Sequence, residues 1–189
     1  MGHVDPAADP LVRSLKRAAG VLKEAELPFA LAGGFAAYAR GAAISTHDVD
    51  FVLREQDAEA ALTALAKVGM TPHECPEDWL VKVHDDDRMI DLIYRPSGRP
   101  VDDALLGRAD ELGLAGVMLP VLPAEDLVIM RLLAYTETAC DFSDFLHVCR
   151  ALREQVDWAK VAKETGHSPY AYAFLTLLHR LDVIDGGFP

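Results

Sequence analysis

Between Leu31 and Leu53 the chain reads LAGGFAAYARGAAISTHDVDFVL, which sets Asp48 and Asp50 one residue apart inside an apolar run. Successive side chains alternate faces along a β-strand. The two carboxylates therefore project from one side of the sheet, roughly 6–7 Å apart along the strand. Two acids on one face of a strand rich in Val, Phe and Leu repel each other and resist burial unless a cation sits between them. Oxygen-only donors suit a hard divalent ion such as Mg²⁺. Upstream, Gly33 and Gly34 leave room for backbone N–H groups to approach a phosphate. Together these features point to metal-assisted nucleotide chemistry. The bland alternative is a strand end emerging into solvent at a turn.

With 189 residues, 51% of them hydrophobic, the chain can build one good core or a core with a small appendage. A formal charge of −12 argues against broad nucleic-acid binding through a basic surface, while leaving room for RNA held at one local basic patch. No run approaches the roughly 18 apolar residues of a membrane span, and the start MGHVDPAADP lacks a signal-peptide layout. Three cysteines fit reduced thiols, and a cytoplasmic location is expected. The spacing of Cys140, His147 and Cys149 matches no common zinc pattern, so these read as helix residues.

Along the chain, Asp9 and Pro10 start a helix whose apolar spacing runs to about Glu26. A short strand over Phe29–Ala32 leads into the glycine pair, and a helix over Phe35–Arg40 is closed by Gly41. Val49–Leu53 is the acid-bearing strand, and a helix capped by Asp57 ends at Gly69. Trp79–His84 and Met89–Tyr94 read as a hairpin around Asp85, Asp86, Asp87 and Arg88, with the three acids as a solvated turn. Asp91 interrupts the second run inside an apolar strand, which makes it the natural third carboxylate. Then come a helix over Ala104–Leu112 and a strand over Val117–Val121. Helices follow over Pro123–Thr136, Phe142–Arg153, Trp158–Glu164 and Pro169–Leu181. The chain thus divides into an α/β half, residues 1–121, and a helical half, residues 122–189.

Lys82 alternates onto the same face as Leu80 and His84, either reaching into the cleft toward phosphate or standing as a solvated edge lysine. Arg131 sits in an otherwise apolar helix near where the halves meet, with a phosphate-binding or a packing role. Arg40 reads as a helix-end residue, and His47 as a packing or capping residue facing away from the acids. Asp141 reads as an N-cap, and Asp144 as an acid suited to the same helix N-terminus.

Gly33-Gly34, Asp48-Val49-Asp50 and Asp91 resemble the pattern of the nucleotidyltransferase superfamily named for DNA polymerase beta. The stretch Glu125-Asp126-Leu127-Val128-Ile129-Met130-Arg131-Leu132-Leu133-Ala134, followed by Asp141 and Asp144, is similar to small bacterial members related to the AbiEii and MenT toxins. Two positions depart from those patterns: Phe35 stands where many members carry a serine near the glycines, and Arg131 stands where the toxins carry lysine.

The resemblance implies an α+β fold, with a mixed nucleotidyltransferase sheet, flanking helices and a C-terminal helical bundle. It implies transfer of a nucleoside monophosphate from an NTP, with two Mg²⁺ held by Asp48, Asp50 and Asp91. Gly33 and Gly34 would meet the β- and γ-phosphates, aided by Lys82 and Arg131. A macromolecular acceptor (tRNA or protein) and a cognate antitoxin partner follow from the toxin branch. The alternatives are transfer to a small hydroxylated molecule such as an aminoglycoside or lincosamide, or an inactive nucleotide-binding module.

Overall fold

Helix α1, Pro10–Glu24, buries Val12, Leu15, Ala18, Ala19 and Leu22, the one-sided spacing of an amphipathic helix. That stripe packs on the sheet and on α3, Ala58–Lys67. The computed structural model describes residues 10–43 and 48–185, so Asp9 and His47 lie outside the described residues.

Seven strands form one mixed sheet in the order β3-β4-β5-β2-β1-β7-β6. They are β1 Phe29–Leu31, β2 Asp48–Leu53, β3 Thr71–His73, β4 Leu80–Asp85, β5 Arg88–Ile93, β6 Asp110–Leu114 and β7 Val117–Val121. β2 runs parallel to β5 and antiparallel to β1, while β1 runs parallel to β7. The central strands read as near-continuous apolar runs because helices cover them; all three residues of β1 are buried. The α+β fold class expected from the sequence is the one observed, a seven-stranded mixed sheet with several helices.

After β7 the described chain is helical: α5 Ala124–Leu133, α6 Ser143–Leu152, α7 Trp158–Thr165 and α8 Pro169–Arg180. These helices share a second apolar cluster centred on aromatic rings. Phe142 and Phe145 lie 4.9 and 5.5 Å from Phe174, ring centre to ring centre. The short helix α2, Gly33–Ala39, joins the two cores: Phe35 and Ala36 belong to the first and Ala37 to the second.

Several local expectations are corrected. Residues 110–112 are strand rather than helix: α4 is only Asp103–Leu106, capped by Asp102 accepting from the Leu105 amide at 2.8 Å. The chain then returns through a two-residue turn at Ala115 and Gly116, both at positive φ (48° and 84°), which suits a tight hairpin. Asp57 accepts no helix-capping bond and instead binds Arg54 Nε at 2.6 Å. Only Asp86 and Asp87 form the solvated hairpin turn. Asp85 is buried within β4, where Ser14 and Arg17 hold it. The edge strand β3 was not anticipated, since its three residues are all exposed and carry no apolar alternation.

Candidate active site

The parallel register of β2 and β5 sets Asp50 directly beside Asp91, and the antiparallel β4 sets Lys82 beside Asp91. Lys82, Asp91 and Asp50 therefore form one row across three strands, with Asp48 two residues earlier on the same face. One carboxylate oxygen from each of Asp48, Asp50 and Asp91 lies within 4.8 Å of the others. Among the described residues this is the one group of three or more acids, histidines or cysteines so placed. Cys140, His147 and Cys149 do not converge, and Cys149 is a buried core residue.

Gly33 roofs this row. It adopts φ +57°, and a Cβ built there would fall 1.8 Å from Asp50 Oδ2, so no larger residue fits without moving the acid. The Ala32 amide donates to the Asp50 carbonyl at 2.9 Å, tying the end of β1 to the acid-bearing strand. Phe35 points away into the first core, 1% exposed, so it takes no part in the cleft.

The electrostatics are those of an acid cluster short of positive charge. Burial, then the charges of Asp48 and Asp91, push Asp50 up to about 7, against a smaller pull from Lys82 and Arg131. Burial also raises Asp91, although Lys82 Nζ hydrogen-bonds its Oδ2 at 3.2 Å. Burial alone would lower Lys82; its bond to Asp91 and the negative charges of Asp91 and Glu77 reverse the balance, and its net shift is upward. Asp91 Oδ1 is buried with no hydrogen-bond partner. A lone pair left unsatisfied inside a protein costs about 1–3 kcal/mol, which a cation at that point would recover. Three converging carboxylates, one orphaned oxygen and one acid driven toward neutrality fit a hard divalent cation.

Two cleft lobes meet at Asp50, Gly33, Leu127 and Arg131. The first, about 320 Å³, is walled by Gly34, Asp48 and, from α6, Asp144, Phe145 and Val148. The second, about 440 Å³, lies toward Ile93 and is walled by Trp79, Pro96–Gly98 and the C-terminal turn of α5. Arg131 is exposed at the junction, with its guanidinium carbon 5.4 Å from the centre of the Tyr135 ring.

Lys82 is not a solvated edge lysine: its side chain is mostly buried and holds the Asp91 carboxylate, and it lines neither lobe. Asp144 lines the first lobe, whereas Asp141 serves the chain locally. It accepts from the Ser143 amide at 2.9 Å, and its carboxyl is held low by Ser143. Arg40 ends its helix and braces the sheet, donating to the Val121 and Leu122 carbonyls and to Asp110. Trp79, Phe145 and the Pro96–Gly98 wall escaped the sequence reading. A tryptophan just ahead of a strand was the only available signal.

Paired acids on one strand, a third on its parallel neighbour and a glycine bend over them form an acidic cluster whose donor set suits a divalent cation. The chain belongs to the family described as nucleotidyl transferase of unknown function (DUF2204), whose model matches residues 11–171. It is an enzyme of the nucleotidyltransferase class, as the sequence led us to expect.

Among solved structures, it is similar to ANT(2'')-Ia in complex with adenylyl-2''-tobramycin. Identity is 15% and TM-score 0.64, with 88% of this chain and 97% of that one covered. A solution structure of the antibiotic-resistance factor ANT(2'')-Ia aligns at 17% identity and TM-score 0.58, covering 90% and 97%. A tRNA nucleotidyltransferase complexed with a primer tRNA and an ATP analogue aligns at 16% identity, covering 88% and 60%. Its TM-score of 0.37 is too low to bear on the acceptor. No curated protein sequence matches. At these identities the likenesses establish the fold, a nucleotidyltransferase-like one. The AbiEii and MenT branch finds no support among them.

Proposed function

We propose that this protein transfers a nucleoside monophosphate from an NTP to a hydroxyl acceptor, using divalent cations held by Asp48, Asp50 and Asp91. The observation that carries this reading is the convergence of those three carboxylates under Gly33, with one buried oxygen of Asp91 left unsatisfied. When bound, Mg²⁺ would supply charge to the triphosphate and acidify the acceptor hydroxyl.

The protein's own groups do the rest. The Gly33 and Gly34 backbone, in the wall of the first lobe, would meet the β- and γ-phosphates, and Arg131 offers a guanidinium at the junction of the lobes. Lys82 is drawn to Asp91 and steadies it. The acceptor oxygen attacks the α-phosphorus, the bond to the bridging oxygen breaks, and pyrophosphate leaves. The hydroxyl proton goes to Asp91, the acid on the acceptor side. In this reading the division at residue 121 is functional: the α/β half carries the acids and the helical half, 122–189, brings Arg131 and Asp144 over them. The reaction belongs in the cytoplasm, where NTPs are supplied.

The acceptor has two readings. The resemblance of the α5–α6 stretch to the toxin branch favours tRNA or protein, with a cognate antitoxin as partner. A small hydroxylated molecule is favoured by charge: the chain carries −12, and Arg131 is the one cation lining either lobe. The test is incubation with each labelled NTP against total tRNA, cell protein, aminoglycosides and lincosamides, with Asp48→Ala as control. Label on an acceptor, lost in the control, supports transfer. Label on drug and none on RNA or protein overturns the toxin reading, and no pyrophosphate release under any acceptor leaves a nucleotide-binding module.

A further inference from the structure

The second lobe has a lining that phosphate chemistry does not explain. Trp79 stands at its mouth with 37% of its surface exposed, one of few large hydrophobic residues so open to solvent. Its backbone is pinned: the Trp79 carbonyl accepts from the amides of Tyr94 and Arg95 at 3.0 and 3.1 Å. The same lobe is lined by the Pro96–Gly98 turn, in which Ser97 and Gly98 both take left-handed conformations, φ 51° and 75°. A non-glycine residue at such a φ is strained, by about 1–3 kcal/mol in general, and persists only where its surroundings fix it. Here the Gly98 and Arg99 amides close back on Arg95 and Pro96 at 3.2 and 3.0 Å, and Val101 bonds Tyr94 at 2.9 Å.

The chemistry of this lobe selects among ligands. Asp50 is the one carboxylate lining it, and Arg131 flanks that acid, so a polycation finds no complement here. Free phosphate finds only Arg131. What the lobe offers is an exposed indole together with the apolar side chains of Ile93, Leu127 and Met130 and the hydroxyl-bearing Ser97 and Thr136. An indole face binds a flat heterocycle well, and base–aromatic stacking is tolerant of base identity. Asp50 at its inner edge links the lobe to the reacting phosphorus.

The geometry points to this lobe as a nucleobase-stacking subsite, with Trp79 as its platform and the Pro96–Gly98 turn as part of its wall. The proposal rests on the nucleotidyl-transfer reading. The base belongs either to the NTP or to a terminal nucleoside of the acceptor.

The chain has two tryptophans, so Trp158→Phe leaves Trp79 as the only indole, and its fluorescence reports directly on the lobe. This variant is titrated, with Mg²⁺, with each NTP, with the dinucleotide ApA, with inorganic tripolyphosphate and with an aminosugar. Quenching by an NTP but not by tripolyphosphate supports the subsite and assigns it to the NTP base. Quenching by ApA that persists with NTP bound supports it and assigns it to the acceptor. By calorimetry, which needs no indole, Trp79→Ala should weaken binding of the quenching ligand about tenfold, with Trp79→Phe restoring most of it. No quenching by any nucleotide, or equal quenching by tripolyphosphate or aminosugar, overturns the proposal. Quenching without transfer to any acceptor would instead refute the catalytic reading and leave the subsite standing.

Discussion

Asp85 at the end of β4 and Asp91 on β5 are each 6% exposed, yet the fold treats them in opposite ways. Asp85 receives Ser14 Oγ at 2.6 Å and the Arg17 guanidinium, and Arg88 Nε donates to Ser14 Oγ at 2.9 Å. Asp126, 7% exposed, is likewise clasped by both arms of Arg108 at 2.9 and 3.1 Å. Asp91 receives one lysine at 3.2 Å, and its other oxygen has no partner, while Asp48 and Asp50 add negative charge beside it. Burying an acid costs several kcal/mol, so a fold that needs one for structure pairs it fully. In the proposed function, the acid left short of partners is where a divalent cation would complete the charge balance.

The strongest way to break that contrast is to neutralise the acids of the cluster. Asp50→Asn or Asp91→Asn should cost transfer about 10³-fold or more, roughly 4 kcal/mol of transition-state stabilisation. The melting temperature of the metal-free protein should hold or rise, because repulsion is relieved. A melting point several degrees lower would show the cluster to be structural.

Gly33→Ala comes next, since its Cβ would sit 1.8 Å from Asp50 Oδ2 at a left-handed φ. Activity should fall about 10²-fold, with about 1–3 kcal/mol of stability lost in chemical denaturation.

Asp85→Ala should show the opposite signature. Ser14 loses its buried acceptor, and because Arg17 is 45% exposed and can rehydrate, the cost is about 1–2 kcal/mol. The kcat per folded molecule should not change.

The contrast is also open to test through the pH dependence of the metal-free protein. The folded pKa of Asp50, about 7, lies above its unfolded value of 3.8, so the native state binds more protons between those limits. Stability from this group is therefore full below about pH 4 and is lost progressively as pH rises to about 7. Thermal melts across that window should show the slope. It should flatten on adding Mg²⁺ and vanish in Asp50→Asn.

What could be read ahead of the structure was local. Alternation along one strand put Asp48 and Asp50 on a common face, and an acid inside MIDLIY advertised its cost. The parallel register that sets Asp50 beside Asp91 joins strands some 40 residues apart, and nothing in either segment encodes it. Asp85 was misread for the same reason: in a run of three acids, its burial depends on Ser14 and Arg17 from a distant helix. β3 and β6 lack the apolar alternation by which a strand is recognised; one carries Pro72 with all three residues exposed, the other reads DELGL. Phe35 departed from the serine pattern because the first core takes its side chain.

The most direct test of the central claim is a calorimetric titration of Mn²⁺ or Mg²⁺ into the wild-type protein and Asp91→Asn, each with a non-hydrolysable NTP analogue. The claim predicts saturable cation uptake by the wild type, weakened at least tenfold in the variant. Equal uptake by both proteins, or none by the wild type, would contradict it.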